Sequence, residues 1–165
     1  MLESSGIRPI SSLPSAMPSV DAMAYTVLLD QLKVYHGRLT EIYEKMQETN
    51  NSLSNLNNLS GEIRKLRSEL KDDDATKSLT QDQINTLKEF GIEIPNNGKD
   101  LNKEKFNDLI ANIDGKKDDL SQSNQLLNVR FQDYKKKYDS TFDLLSNILK
   151  GTASSKDNII RNTNG

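Results

Sequence analysis

The sequence predicts an all-α fold: a long antiparallel two-helix coiled-coil hairpin with a small helical and extended subdomain at the connection. Two stretches carry apolar residues at alternating steps of three and four, the spacing of a coiled-coil seam. The first stretch comprises Tyr25, Leu28, Leu32, Tyr35, Leu39, Ile42, Met46, Thr49, Leu53 and Leu56. The second comprises Phe106, Ile110, Ile113, Leu120, Leu127, Phe131, Tyr134, Tyr138, Leu145 and Ile148. Because only about 35 residues connect two such helices, the simplest arrangement lays them side by side and antiparallel.

Composition agrees with a thin helical protein. Of the 165 residues, 34% are hydrophobic and 28% are charged, and Trp is absent. Such a chain suits a seam between helices better than a many-layered core around a cleft. The formal net charge of -2 argues against a nucleic-acid partner, because phosphate neutralisation needs a surplus of Lys and Arg on one face. No apolar run approaches the roughly 20 residues that cross a bilayer, so no transmembrane segment is expected.

Residues 1–19 are predicted to be a flexible Ser/Pro-rich arm. They contain three of the chain's four prolines and six serines, a composition that disfavours a helix and buries little surface. The basic start and the apolar centre of a cleavable signal peptide are both missing, so any export would follow another route.

Residues 20–150 are predicted to form the hairpin domain, with the connecting subdomain inserted at residues 71–105. Ser19 is a candidate N-cap for the first long helix, which continues to about Leu70. Gly61 is the expected bend in this helix, because a glycine in a helix interior costs roughly 1 kcal/mol relative to alanine.

The connecting subdomain has its own start and stop signals. Residues 71–78 show no apolar period and are expected to be an exposed connection. Thr80 and Gln83 form a capping-box pattern, which predicts a short amphipathic helix that ends near Gly91. A brief extended segment should follow, and the Asn-Asn-Gly sequence at residues 96–98 then turns the chain.

The second long helix is predicted to begin at the N-cap Asn102. A kink or a short break is expected at Gly115. The helix should end at Lys150, with Gly151 as its stop, and residues 151–165 are left as a polar tail.

Two polar residues, Lys117 and Asn124, occupy seam positions of the second helix. Polar residues in a seam usually fix the register or the number of helices at a cost in stability. We therefore expect both to serve the specificity of helix pairing.

The end of the hairpin that holds both termini is predicted to associate with a partner. The apolar stripe of the second helix widens there, since Leu144 and Leu149 accompany the seam residues. More apolar surface than a two-helix hairpin can bury implies a partner, although each of these side chains could instead serve the internal seam alone. The residues predicted to carry the hairpin and its contacts with neighbours are Leu28, Leu32, Tyr35, Leu39, Phe131, Tyr134, Tyr138, Phe142, Leu145 and Ile148.

No combination of residues points to catalysis. His36 is the single histidine and cysteine is absent, so His-based metal sites and Ser-His or Cys-His pairs cannot be assembled. The acidic run at residues 72–74 lacks the further ligands that calcium would need. We therefore expect no catalytic residue, no cofactor site and no bound metal, and we predict that the protein is not an enzyme.

Three segments resemble the needle-tip and filament proteins of bacterial type III secretion systems, the family of IpaD, LcrV and EspA. The Leu-Lys-Val-Tyr sequence at residues 32–35 is similar to a stretch of IpaD-type tip proteins. Residues 80–94 resemble the segment that EspA-like filament subunits place between their long helices. Residues 137–145, which begin Lys-Tyr-Asp-Ser, look like the carboxy-terminal helix of LcrV and IpaD.

This resemblance implies a secreted structural subunit at the bacterial cell surface, which caps or extends the injection needle and links it to the translocation pore. The implied partners are further copies of the chain, the needle subunit, the translocon proteins and, before export, a secretion chaperone. Residues 1–19 would be an uncleaved secretion signal. The chain has no room for the self-chaperoning helices of IpaD or the globular insertion of LcrV, and it is closer in compactness to EspA, which polymerises.

The alternative function is a cytosolic coiled-coil adaptor or secretion chaperone, which would use the same apolar stripe to hold another protein. Recovery of the protein in the culture supernatant would support the secreted subunit, and retention inside the cell would support the adaptor or chaperone. The sequence also leaves open whether an assembly would be a small ring or a long filament.

Overall fold

The computed structural model of the protein describes residues 19–163. It contains two long helices, α1 (Val20–Ser68) and α3 (Lys103–Thr163), which pack against each other. A short helix, α2 (Gln81–Glu89), and a 3-10 turn (Pro95–Gly98) lie between them in the chain. The predicted all-α helical hairpin is therefore confirmed. The predictions for the amino-terminal arm, apart from Ser19, lie outside the described residues.

The chain divides into two compact units. The inner unit is Tyr35–Lys137, which contains most of α1, the whole connection and the first part of α3. The terminal unit consists of the described residues that precede Tyr35 and follow Lys137. Each unit therefore contains segments of both long helices.

The antiparallel direction of the helices is visible in the inner unit. Arg64 Nη2 donates a hydrogen bond to Asp114 Oδ2 at 2.6 Å. Asn124 Nδ2 donates to Asn50 Oδ1 at 2.8 Å. Because the partner on α1 has a lower number where the partner on α3 has a higher one, the helices run in opposite directions, as predicted.

All three predicted N-caps are present. Ser19 Oγ and Asn102 Oδ1 each accept a hydrogen bond from the backbone N–H three residues later, both at 3.1 Å. Thr80 and Gln83 form the reciprocal capping box, with hydrogen bonds of 3.3 and 3.0 Å. These side chains satisfy N–H groups that the first turn of a helix leaves without partners, so the three helices begin where local chemistry predicts.

The inner unit holds the principal hydrophobic core of the described residues. Its fully buried side chains come from α1, α2, the connection and α3. They are Leu56, Ile63, Leu87, Leu101, Phe106, Leu109 and Ile113. A pair of helices alone leaves each apolar stripe partly exposed. The connecting subdomain adds the third layer that closes this core.

Backbone hydrogen bonds tie the connection together. Lys77 and Leu101 exchange N–H···O bonds of 3.0 and 2.9 Å, and Leu79 N–H donates to the Gly98 carbonyl at 2.8 Å. The prediction of an exposed connection at residues 71–78 holds for its first four residues and is wrong for Lys77, which is paired and half-buried. Apolar periodicity missed this pairing because the residue that pairs with Lys77, Leu101, lies beyond the next helix in an isolated bridge.

The predicted turn at residues 96–98 is confirmed and has a specific backbone. Asn96, Asn97 and Gly98 have φ angles of 49°, 54° and 81°, in the left-handed region that Asn and Gly tolerate best. A Cβ atom on Gly98 would lie 2.9 Å from the side chain of Ile84. Glycine is therefore required at this position by both conformation and space.

One prediction about glycine was wrong, because α3 continues past Gly151 to Thr163 instead of ending at Lys150. Both long helices also run through Gly61 and Gly115 without a break, so the short break considered at Gly115 is absent, whereas the bend at Gly61 stays a prediction. A glycine ends a helix when it adopts a left-handed conformation. Among the glycines of residues 19–163, only Gly91 and Gly98 have positive φ, so Gly151 does not act as a stop.

Candidate association surface

Most of the side chains predicted to carry contacts with neighbours are directed into their own units. Among the ten predicted residues, Leu32 and Leu145 are buried at 7% exposure, and seven others are half-buried. Phe142 differs, since 51% of it is exposed. The other nine residues therefore leave little exposed surface for a partner, whereas about half of Phe142 is exposed.

The inner unit contains the aromatic contact that antiparallel pairing predicts. The rings of Tyr35 and Tyr134 have centroids 6.2 Å apart, at an interplanar angle of 50°. Lys137 Nζ lies 5.2 Å from the centre of the Tyr134 ring and 2.7 Å from Asp133 Oδ2. The hydrogen bond to Asp133 raises the pKa of Lys137 and so favours the charged form that a cation–π contact with the ring requires.

The predicted polar seam position at Asn124 lies in the inner unit. Its Nδ2 atom bonds to Asn50, whereas its buried Oδ1 atom has no hydrogen-bond partner among the described residues. Lys117, the other polar seam residue, pairs with Asp114 at 3.5 Å on its own helix. Of these two polar seam residues, only Asn124 bonds to α1, and its role in fixing the register of the helices stays a prediction.

Exposed apolar side chains are concentrated in the terminal unit. Of the twelve large hydrophobic residues that are exposed among the described residues, nine belong to this unit. They are Val20, Met23, Val27, Val34, Phe142, Leu144, Leu149, Ile159 and Ile160. The predicted surplus of apolar surface at this end of the hairpin is therefore present.

One of the exposed stripes was missed by the sequence analysis. Val20, Met23, Val27 and Val34 follow helical steps of three, four and seven, and Asp30 occupies the remaining position. At roughly 100° per residue, this stripe lies on the face of α1 opposite the seam. We call these five residues the outer stripe of α1. The spacing of these residues indicates the stripe, but the neighbouring seam residues in the sequence are sufficient by themselves to predict the helix.

A second stripe runs along α3 beside its seam. We call it the outer stripe of α3, and its members are Phe142, Ser146, Leu149, Ala153, Lys156 and Ile160. They follow alternating steps of four and three, the spacing of a coiled-coil seam. Leu149 also lines a pocket of about 280 Å³ with Ala22 and Tyr25 of the same unit, so this stripe borders the pairing of α1 and α3.

A polar cleft of about 520 Å³ lies between α1 and α2 in the inner unit. Glu62, Asp82 and Glu89 line it, and Gln83 Nε2 donates to Glu62 Oε2 at 2.9 Å. All three carboxylates are exposed to solvent. The cleft therefore lacks the desolvated environment that tunes a carboxyl group for acid-base catalysis.

Residues 19–163 were also considered as a possible membrane span and as a possible metal site. No helix there combines the length and the apolar content that a membrane span needs. No three His, Cys, Asp or Glu side chains are grouped so that they could hold a metal ion.

Comparison of the chain with models of known protein families, with curated proteins and with solved structures finds no match.

Proposed function

We propose that the protein is a secreted structural subunit of a type III secretion apparatus, which caps or extends the needle and links it to the translocation pore. The observation that carries this proposal is the concentration of exposed apolar side chains in the terminal unit. Monomeric proteins rarely keep contiguous apolar patches in water, and such patches mark interaction sites. A helical hairpin that packs one apolar face internally and exposes another suits a structural subunit that binds its neighbours.

The proposal has two halves, self-assembly and membership of a secretion apparatus, and different observations support each. Self-assembly is supported by the outer stripes of α1 and α3, which have coiled-coil spacing and lie exposed. The secretion apparatus is supported by the resemblance of residues 32–35, 80–94 and 137–145 to tip and filament proteins. The needle subunit, the translocon proteins and a chaperone before export are the partners that this function requires.

Secretion of the full chain tests the second half. The gene would be expressed in a bacterium with an active type III apparatus and in a matched strain whose export ATPase is inactive. The proposal predicts full-length protein, with its amino terminus intact, in the culture supernatant of the first strain only. Retention inside both strains would contradict secretion and favour the alternative function, a cytosolic coiled-coil adaptor or secretion chaperone.

Self-assembly is tested separately on purified protein. Light scattering after size exclusion, with electron microscopy of the same fractions, should show rings or filaments whose mass grows with protein concentration. A monomer at every concentration would contradict the assembly half of the proposal.

A further inference from the structure

We infer that a second copy of this chain covers the outer stripe of α1, and that it does so with the outer stripe of its own α3. The inference rests on the proposed self-assembly and gives it a specific interface. It is heterologous, because the surface that one copy offers differs from the surface that it meets on the next copy.

The two stripes match when the helices are placed antiparallel. Each apolar residue of α1 then faces an apolar or aliphatic side chain of α3, and each step of three or four on one helix meets an equal step on the other. The facing pairs, with α1 first, are Val20 with Lys156, Met23 with Ala153, Val27 with Leu149, Asp30 with Ser146, and Val34 with Phe142.

The polar members of the stripes also find partners in this register. Asp30 faces the hydroxyl of Ser146, and Lys150 lies one helical turn further along α3. Asp30 pairs with Lys33 of its own helix at 3.1 Å, and in this register the exposed Lys150 of the neighbouring copy adds a second cation beside the interface. Lys156 meets Val20 at the edge, where its aliphatic stem covers the valine while the ammonium group stays in water.

A parallel arrangement accounts for the surface less well. With Asp30 placed opposite Lys156, Met23 would face Leu149, Val27 would face Ala153 and Val34 would face Ile160. Phe142 would then lie beyond the first residue of α1 and would meet no member of its outer stripe, whereas the antiparallel register leaves out Ile160. The antiparallel register covers Phe142, the largest exposed apolar side chain on the stripe of α3, and for that reason we assign it.

The antiparallel register places neighbouring copies at the same level. Within one chain, Tyr25 and Leu149 line the same pocket, and across the interface Leu149 of one copy would face Val27 of the next, only about 3 Å further along the helix axis. Neighbours therefore point in the same direction with almost no axial shift. A heterologous contact without an axial rise closes into a ring and does not climb into a helical filament.

Complementary single variants test the heterologous contact. Val27→Asp disables the stripe of α1 alone, and Phe142→Asp disables the stripe of α3 alone. Each variant should stay monomeric, with its apparent association constant lowered by roughly a hundredfold or more, because a buried unpaired carboxylate is costly. An equimolar mixture should form dimers and nothing larger, since one intact stripe remains on each chain.

The control variant is Leu126→Asp, which makes the same kind of change at an exposed leucine of the inner unit, outside both stripes. It should assemble like the unaltered chain, and circular dichroism should show equal helix content in all three variants. Unaltered assembly by Val27→Asp or Phe142→Asp would overturn the inference, and so would a mixture that stays monomeric.

Disulfide cross-linking tests the register. Because the chain contains no cysteine, only the introduced cysteines can react. A mixture of Val34→Cys and Phe142→Cys chains should form an intermolecular disulfide under mild oxidation. A mixture of Val34→Cys and Leu149→Cys, which is displaced by one heptad or roughly 10 Å, should not. Preference for the displaced pair would overturn the register while leaving self-assembly intact, whereas a monomeric unaltered chain would overturn both the register and the assembly half of the proposed function.

Discussion

The inner and terminal units use the same two helices and bury them to different extents. In the inner unit the connecting subdomain adds a third layer, and a cluster of twelve buried apolar residues forms around it. In the terminal unit, among the described residues, Leu32 and Leu145 are the buried apolar side chains, while nine large ones are exposed. The same helical pattern therefore makes a core where a third layer is present and leaves apolar side chains exposed where it is absent.

The largest expected difference between the two units is in the free energy of unfolding, and it can be measured at two phenylalanines of α3. Phe106→Ala in the inner core should lower the free energy of unfolding by about 3–5 kcal/mol, because it leaves a cavity among residues that cannot collapse into it. Phe142→Ala in the terminal unit should change the stability of the monomer by only about 0.5 kcal/mol. Urea unfolding followed by circular dichroism, at a concentration where the chain is monomeric, measures both. Equal losses at the two sites would contradict the division between core and surface.

The next effect concerns two glycines that differ in conformation. Gly98→Ala should destabilise the inner unit by about 1–3 kcal/mol, because Gly98 has a left-handed backbone and the added Cβ would contact Ile84. Gly151→Ala should instead raise the helix content and stabilise the end of α3 by up to roughly 1 kcal/mol.

Thermal unfolding and far-ultraviolet circular dichroism of the two glycine variants provide the measurement. A stabilising Gly98→Ala would contradict the turn geometry. A loss of helix in Gly151→Ala would contradict the continuous helix.

Much of this fold follows from local sequence rules, and one exception depends on a contact between residues that are distant in the sequence. The caps at Ser19, Thr80 and Asn102 and the turn at residues 96–98 depend on neighbours within a few residues, and all were predictable. The pairing of Lys77 with Leu101 depends on the folded connection, so a pattern search along the chain cannot find it.

The position of the exposed apolar surface was predictable, but its detail was not. The widened stripe at Leu144 and Leu149 pointed to the unit in which most of the exposed large apolar side chains lie. The outer stripe of α1 escaped notice because its valines stand beside seam residues, and only the burial of those residues shows which stripe is left exposed. Seam residues such as Leu145 were assigned to both roles, since a sequence does not distinguish an internal contact from an external one.

A smaller effect is expected at the polar seam position. Asn124→Leu should stabilise the inner unit by roughly 1 kcal/mol, because it removes a buried carbonyl oxygen that has no hydrogen-bond partner among the described residues. It should also loosen the register of α1 and α3, since the bond to Asn50 is lost. Thermal unfolding measures the first change, and broader amide resonances around residues 50 and 124 would show the second. A variant that is less stable would contradict this account.

The smallest expected effect is on the stability of the protein at low pH. A hydrogen bond from Lys77 lowers the pKa of Glu69, so its ionised form is favoured in the folded state. A carboxyl whose pKa is depressed on folding stabilises the protein above its unfolded pKa, and this contribution is lost as the pH falls through the folded value. The melting temperature should therefore fall slightly as the pH drops below about 4. Glu69→Gln should show a flatter decline, and an equal decline in both proteins would contradict the role of this pair.

Hydrogen exchange measured at increasing protein concentration tests the central claim most directly. If the terminal unit is the surface on which copies assemble, amides of residues 19–34 and 138–163 should become more protected as the concentration rises, while the core amides of the inner unit keep the same protection. Protection that does not depend on concentration, or that rises in the inner unit instead, would contradict the claim that the exposed stripes of the terminal unit meet in the assembly.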